Sequence, residues 1–189
     1  MHRNHKSNNP LEVTEYIQLK AFARMDGVLL AVLWTASFAC YVLGLSQPGL
    51  GMVAMVLAII TPFFVARRLK KFRDVGRDGI ISFRRGFAYT LLTFFYASLL
   101  FAFVHFIYFS YMDHGYFFGT LTKAMSAPEN AQALGKEMMS TVIESLQMAG
   151  RMRPIDLALS LMMSNLIIGL IASFPIAAVM KKEMRSDKL

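Results

Sequence analysis

The chain has 189 residues, of which 56% are hydrophobic and 17% charged, with a mean hydropathy of +0.46; soluble domains hold about 45–50% apolar and about 25% charged residues. A net charge of +8 and a pI near 9.8 would point to nucleic acid in a soluble protein. Here the basic residues sit just outside long uncharged runs, as topology signals and contacts for anionic lipid headgroups do, so no nucleic-acid partner is expected. The single cysteine, Cys40, lies inside an apolar run and leaves no intrachain disulfide and no metal-ligand spacing.

In chain order, Met1 to about Asp26 is polar and mixed in charge, with a crowded Asn and His start that is expected to be disordered. Within it, Tyr16, Leu19 and Ala23 recur at the spacing of a short amphipathic surface helix over Thr14–Met25. The first uncharged run covers about Gly27–Leu45, roughly 28 Å as a helix and close to the hydrocarbon thickness. Ser46-Gln47-Pro48-Gly49 reads as a tight turn, and a second run over about Gly49–Ala66 returns across the bilayer. Arg67 to Arg85 is a basic loop, and a third run over about Gly86–Met112 follows, long enough to tilt. Its far end and the residues beyond carry Phe106, Tyr108, Phe109, Tyr111, Tyr116, Phe117 and Phe118, the composition of an interfacial aromatic belt.

The sizeable loop Asp113–Pro154 contains Ser126, Pro128 and Glu129, a helix-start signature. Ala131, Leu134, Met138, Val142 and Leu146 then share one helical face, which predicts an amphipathic helix over about Pro128–Ala149, stopped by Gly150. A fourth run over about Ile155–Met180 ends at Lys181-Lys182, and a short basic tail closes the sequence. The expected fold is therefore all-α: a polytopic membrane protein with four transmembrane helices and an amphipathic extracytoplasmic helix between the third and fourth.

Orientation follows from the basic residues. Arg3, Lys6, Lys20 and Arg24, the loop residues Arg67, Arg68, Lys70, Lys71, Arg73, Arg77, Arg84 and Arg85, and Lys181, Lys182, Arg185 and Lys188 all fall on one side. Only Lys123, Lys136, Arg151 and Arg153 fall on the other, across a longer loop. The positive-inside rule then predicts both termini in the cytoplasm, with Arg67, Arg68, Lys70, Lys71, Lys181 and Lys182 meeting headgroups.

Few polar residues interrupt the spans. His105, in the third run, and Asn165, in the fourth, fall at similar depths and are expected to hydrogen-bond across the helix interface, since an unpaired polar group in lipid is costly. Asn165 opens a ridge with Gly169, Ser173 and Ala177, spaced every four residues as small residues are at close helix contacts. Ala54, Ala58 and Pro62 form a weaker version, and Pro62 and Pro175 permit kinks. Asp26 and Asp156 mark the starts of the first and fourth runs and suit the positive end of a helix dipole. Methionines from Met125 to Met163 gather on the outer side, where adaptable packing explains them better than soft-metal binding.

No phosphate-binding glycine loop, His-Glu-x-x-His or Gly-x-Ser-x-Gly occurs, so no cofactor and no catalytic set is expected. In its order of elements the chain resembles the small bacterial four-span proteins known as Domain of Unknown Function 4199. Gly79-Ile80-Ile81-Ser82-Phe83 with Gly86-Phe87, the exit Tyr108-Phe109-Ser110-Tyr111-Met112-Asp113, and the small-residue fourth span ending in Lys181-Lys182 carry the likeness. The resemblance brings no catalytic residues. The expected role is a non-enzymatic interaction or assembly component whose partners are the lipid bilayer and other membrane proteins or a second copy. The alternative is a small-solute or ion transporter or channel.

Overall fold

A computed structural model describes residues 10–127 and 135–182. Among the described residues six α-helices follow one another: α1 (Pro10–Gly44), α2 (Pro48–Gly76), α3 (Phe83–Ile107), α4 (Tyr116–Met125), α5 (Lys136–Gly150) and α6 (Pro154–Met180). A π-turn, Tyr108–Met112, extends α3. Helices α1, α2, α3 with its extension, and α6 are each long and apolar enough to cross a membrane. No strand occurs among the described residues, only an isolated bridge. The fold is all-α and that of a multi-pass membrane protein.

Local chemistry sets the helix starts. Pro48 and Pro154 occupy the first positions of α2 and α6, where a missing N–H costs nothing. Asp156 stands in the first turn of α6 as expected, and there also takes two hydrogen bonds from Arg153, at 2.6 and 3.0 Å.

Three boundaries differ from the sequence reading. The surface helix expected over Thr14–Met25 is the first part of α1, which runs unbroken through Arg24, Asp26 and Gly27. The basic loop begins as helix, because α2 continues to Gly76. Charges mark where lipid ends, whereas Lys and Arg are good helix formers and let the helix go on into water. Ser126, read as a helix start, instead closes α4, its hydroxyl donating to the Thr122 carbonyl at 2.7 Å. Glu129 and the first part of the expected helix from Pro128 lie outside the described residues, as do Met1–Asn9, and α5 begins at Lys136.

In packing order the spans run α2, α1, α3, α6: α1 lies between α2 and α3, and α3 pairs extensively with α6. Where hydrocarbon surrounds a bundle, burial of apolar surface drives little, and close backbone approach matters more. The ridge on α6 supplies it, with Gly169, Ser173 and Ala177 buried. A Cβ on Gly169 would stand 2.6 Å from the Phe94 Cβ, so only glycine admits α3 at this distance. Ala177 meets Gly86 of α3, and Gly27 of α1 makes a similar approach to Tyr96.

The tightly packed core lies toward the end that carries the basic residues. Leu19, Ala23 and Leu30 of α1, Val65, Leu69 and Phe72 of α2, Tyr89 and Phe94 of α3 and Ile176 of α6 form one cluster. Phe72 stacks on Tyr89 at 4.8 Å, nearly parallel. Ile81 and Lys182 exchange two backbone hydrogen bonds, of 2.9 and 3.0 Å, and so tie the turn before α3 to the end of α6. Arg73 of α2 donates to the Met180 carbonyl at 3.1 Å. The basic end is thereby closed on all four spans.

Candidate functional site: a lateral cleft and the buried charges beneath it

At the closed end, Asp26 is the most deeply placed acid, 1% exposed. It stands in the middle of α1 and not at its start, so the helix-dipole reading does not apply. Arg68 donates through Nε to Oδ1 at 2.5 Å and adds a second guanidinium contact, and the Tyr89 hydroxyl donates to Oδ2. One carboxylate therefore binds α1 to both α2 and α3. Each side chain is justified by the others: an acid alone in this position would be a buried, unpaired charge. Arg68, expected to meet headgroups, is mostly spent on this pair, whereas Arg67, Lys70, Lys71, Lys181 and Lys182 are exposed. Nearby, Glu15 pairs with Arg77 at 3.0 Å and Arg85 at 2.6 Å.

Toward the opposite end, α2 and α6 part. Between them opens a cleft of about 610 Å³, with α2 and α6 as walls and α1 and α3 as floor. Trp34, Phe38, Phe94 and Phe101 line it, as do His105 and Asn165; no Lys, Arg, Asp or Glu does. Three of its polar side chains bond to neighbours. Trp34 Nε1 donates to Thr61 Oγ1 at 3.1 Å, and Ser37 Oγ to the Ala54 carbonyl at 3.0 Å.

His105 is different. It is 5% exposed, packed against Phe101 (4.0 Å between centroids) and edge-on to Phe38 (4.7 Å), and its Nδ1 has no hydrogen-bond partner among the described residues. Asn165, half-buried on α6, lines the same cleft. The hydrogen bond expected between them is not formed: His105 Nδ1 finds no partner among the described residues, and both side chains line the same cleft. Ala54, Ala58 and Pro62 of the second small-residue stripe also line that space, Ala54 buried beside α1.

Just beyond, the π-turn brings the Tyr108 hydroxyl to Asp113 at 2.9 Å. Asp113, 5% exposed, also accepts from the backbone N–H groups of Gly115 (3.1 Å) and Phe117 (2.9 Å). It is a capping acid for α4, an element that the aromatic belt concealed in the sequence. The α1–α2 turn joins here, with Ser46 and Tyr116 hydroxyls 2.6 Å apart. No group of three or more His, Cys, Asp or Glu side chains converges among the described residues.

Sequence reasoning found His105, Asn165 and the ridge, and missed Arg68 with Tyr89 as partners of Asp26. An acid eighteen or so residues from a span's far end, about 27 Å along a helix, was a usable signal, since it placed Asp26 beside the start of the basic segment. Among curated proteins and among solved structures nothing matches this chain. The family model for proteins of unknown function DUF4199 matches residues 26–182, from the buried aspartate to the last described lysine, and the chain belongs to that family.

Proposed function

We propose that this protein is a non-enzymatic interaction or assembly component of the bacterial inner membrane that works by binding within the bilayer, with both termini in the cytoplasm. The observation that carries the reading is how most of the buried polar groups are spent, Ser98 Oγ and His105 Nδ1 being the exceptions among the described residues. Thr90, Thr93 and Ser173 donate to carbonyls one turn back on their own helices. Asp26 is consumed by Arg68 and Tyr89, and Asp113 by its caps. Between the basic end and the cleft stand Leu30 and Ala97, fully buried and apolar, with the buried Phe94 ring at the cleft floor. A conducting path needs polar groups from face to face, and these residues interrupt it. A cleft open to one side suits an occupant arriving from the lipid. The exposed Arg67, Lys70, Lys71, Lys181 and Lys182 support the orientation and contact with anionic headgroups.

Two measurements test this. Proteoliposomes containing the purified protein are expected to pass protons and potassium no faster than empty vesicles; flux that His105→Ala abolishes would establish a transporter instead. A fluorescent-protein fusion after Leu189 should fluoresce in cells, and an active alkaline phosphatase fusion at that point would overturn the orientation.

A further inference from the structure

We infer that the cleft between α2 and α6 binds a neutral, membrane-soluble molecule with a planar ring bearing carbonyl or hydroxyl oxygens, of the quinone and quinol class, its ring oxygens meeting His105 Nδ1 and the Asn165 amide. The inference deepens the reading that the protein binds within the bilayer and rests on it.

Four observations converge on this ligand. The volume of about 610 Å³ falls in the roughly 300–1,000 Å³ range of small-molecule sites. The floor presents flat aromatic surfaces, Trp34, Phe38, Phe94 and Phe101, which favour stacking against a ring. No charged side chain lines the cleft, so a phosphate or carboxylate would enter uncompensated. His105 Nδ1 faces the cleft from α3, buried and without a partner among the described residues, and such an atom is costly enough to require an explanation; the half-buried Asn165 amide lines the same cleft from α6.

Depth agrees. His105 lies about seven residues, roughly 10 Å along a helix, from the end of the α3 extension, shallow enough for a polar ring whose apolar tail leaves between α2 and α6 into lipid. An imidazole nitrogen donates or accepts according to tautomer, and a primary amide does both, so the pair can serve a carbonyl or a hydroxyl. A plain acyl chain would leave both unsatisfied. Only binding is inferred; no electron transfer is implied.

Trp34 is the sole tryptophan of the chain and lines the cleft, which makes it a built-in reporter. The experiment titrates full-length protein in nanodiscs with decylubiquinone, and separately with dibrominated phosphatidylcholine, and follows Trp34 emission. Saturable quenching by decylubiquinone is expected. Asn165→Leu and His105→Phe, which keep bulk and remove the polar atom, should each weaken it about tenfold. Ala58→Phe, filling the cleft from its exposed wall, should abolish it.

Quinone quenching that rises without saturation and equally in wild type and all three variants would overturn the proposal. So would saturable quenching by the brominated lipid alone, which would make the occupant an acyl chain. Asn165→Leu and Ala58→Phe alter half-buried and exposed positions, so the test survives should His105→Phe fail to fold. The flux assay speaks to binding against conduction, and this titration to the occupant alone.

Discussion

Asp26 and Arg68 form an ion pair where α1 and α2 reach the basic end of the bundle, and the carboxylate is completed by the hydroxyl of Tyr89. The pair joins residues 42 apart in sequence and ties together the two helices that form one wall and part of the floor of the cleft. Closing one end with a buried, satisfied charge lets the other end stay open without the spans drifting apart.

Removing one member should therefore cost more than removing both. Asp26→Ala strands a guanidinium that is three-quarters buried, and breaking such a pair costs about 3–5 kcal/mol. The expected outcome is a large loss of thermal stability in detergent, with Asp26→Ala plus Arg68→Ala losing less than the two single losses combined. Tyr89→Phe should cost about 1–3 kcal/mol, because it removes one donor from a buried carboxylate. By contrast Arg153→Ala, which breaks an exposed pair with Asp156, should leave the unfolding temperature within scatter. Equal sensitivity at both sites would refute the distinction.

The close approaches of α6 and α1 to α3 predict a second pattern. Gly169→Ala places a methyl group 2.6 Å from the Phe94 Cβ, and Gly27→Ala one 2.6 Å from the Tyr96 Cβ. Overpacking of this kind costs about 1–3 kcal/mol. Gly49→Ala has open space around its Cβ and should be neutral or slightly stabilising, since alanine is the better helix former. Denaturation of the three variants in one detergent checks the order, and a destabilised Gly49→Ala beside an unaffected Gly169→Ala would contradict it.

Trp34 and Thr61 hold α1 to α2 beside the cleft through one hydrogen bond of 3.1 Å. Thr61→Val keeps the shape and removes the acceptor, at a cost near 0.6 kcal/mol for a hydrogen bond in a membrane. With a single tryptophan in the chain, the loss should be visible directly as a blue shift of emission when the indole N–H loses its partner. Unchanged emission would mean that the bond is not made in the bilayer.

Much of this architecture is written in hydropathy. Four uncharged runs place four spans, and Asn165, Gly169, Ser173 and Ala177 at every fourth position mark the α6 face, three of whose residues are buried. The charged residues were harder to read because they answer two questions at once. Arg68 lies in a segment whose composition speaks of topology, yet its side chain turns back onto Asp26, a partner that only the packing of α1 on α2 reveals. His105 and Asn165 were legible as unusual residues at matching depth. Whether they meet depends on how α3 and α6 are set against each other, a property of the whole bundle that no local spacing encodes.

Asp113 offers the remaining test, at the aromatic end. Its carboxylate accepts the Tyr108 hydroxyl and the N–H groups of Gly115 and Phe117, after a backbone reversal in which His114 and Gly115 both take positive φ, 45° and 82°. Asp113→Ala removes the acceptor for two orphan N–H groups at the start of α4, and capping losses run about 0.5–2 kcal/mol. Because α4 meets the rest of the protein at this end, through α5, the Ser46–Tyr116 contact and Phe117 and Phe118 against Phe38, Tyr41 and Phe109, the effect should stay local to it. Amide hydrogen exchange over Tyr116–Met125 is expected to accelerate several-fold while α1, α2 and α6 stay protected. Acceleration spread evenly over all spans would show instead that Asp113 supports the bundle as a whole, and the division into a firm basic end and a separately stabilised aromatic end would fail.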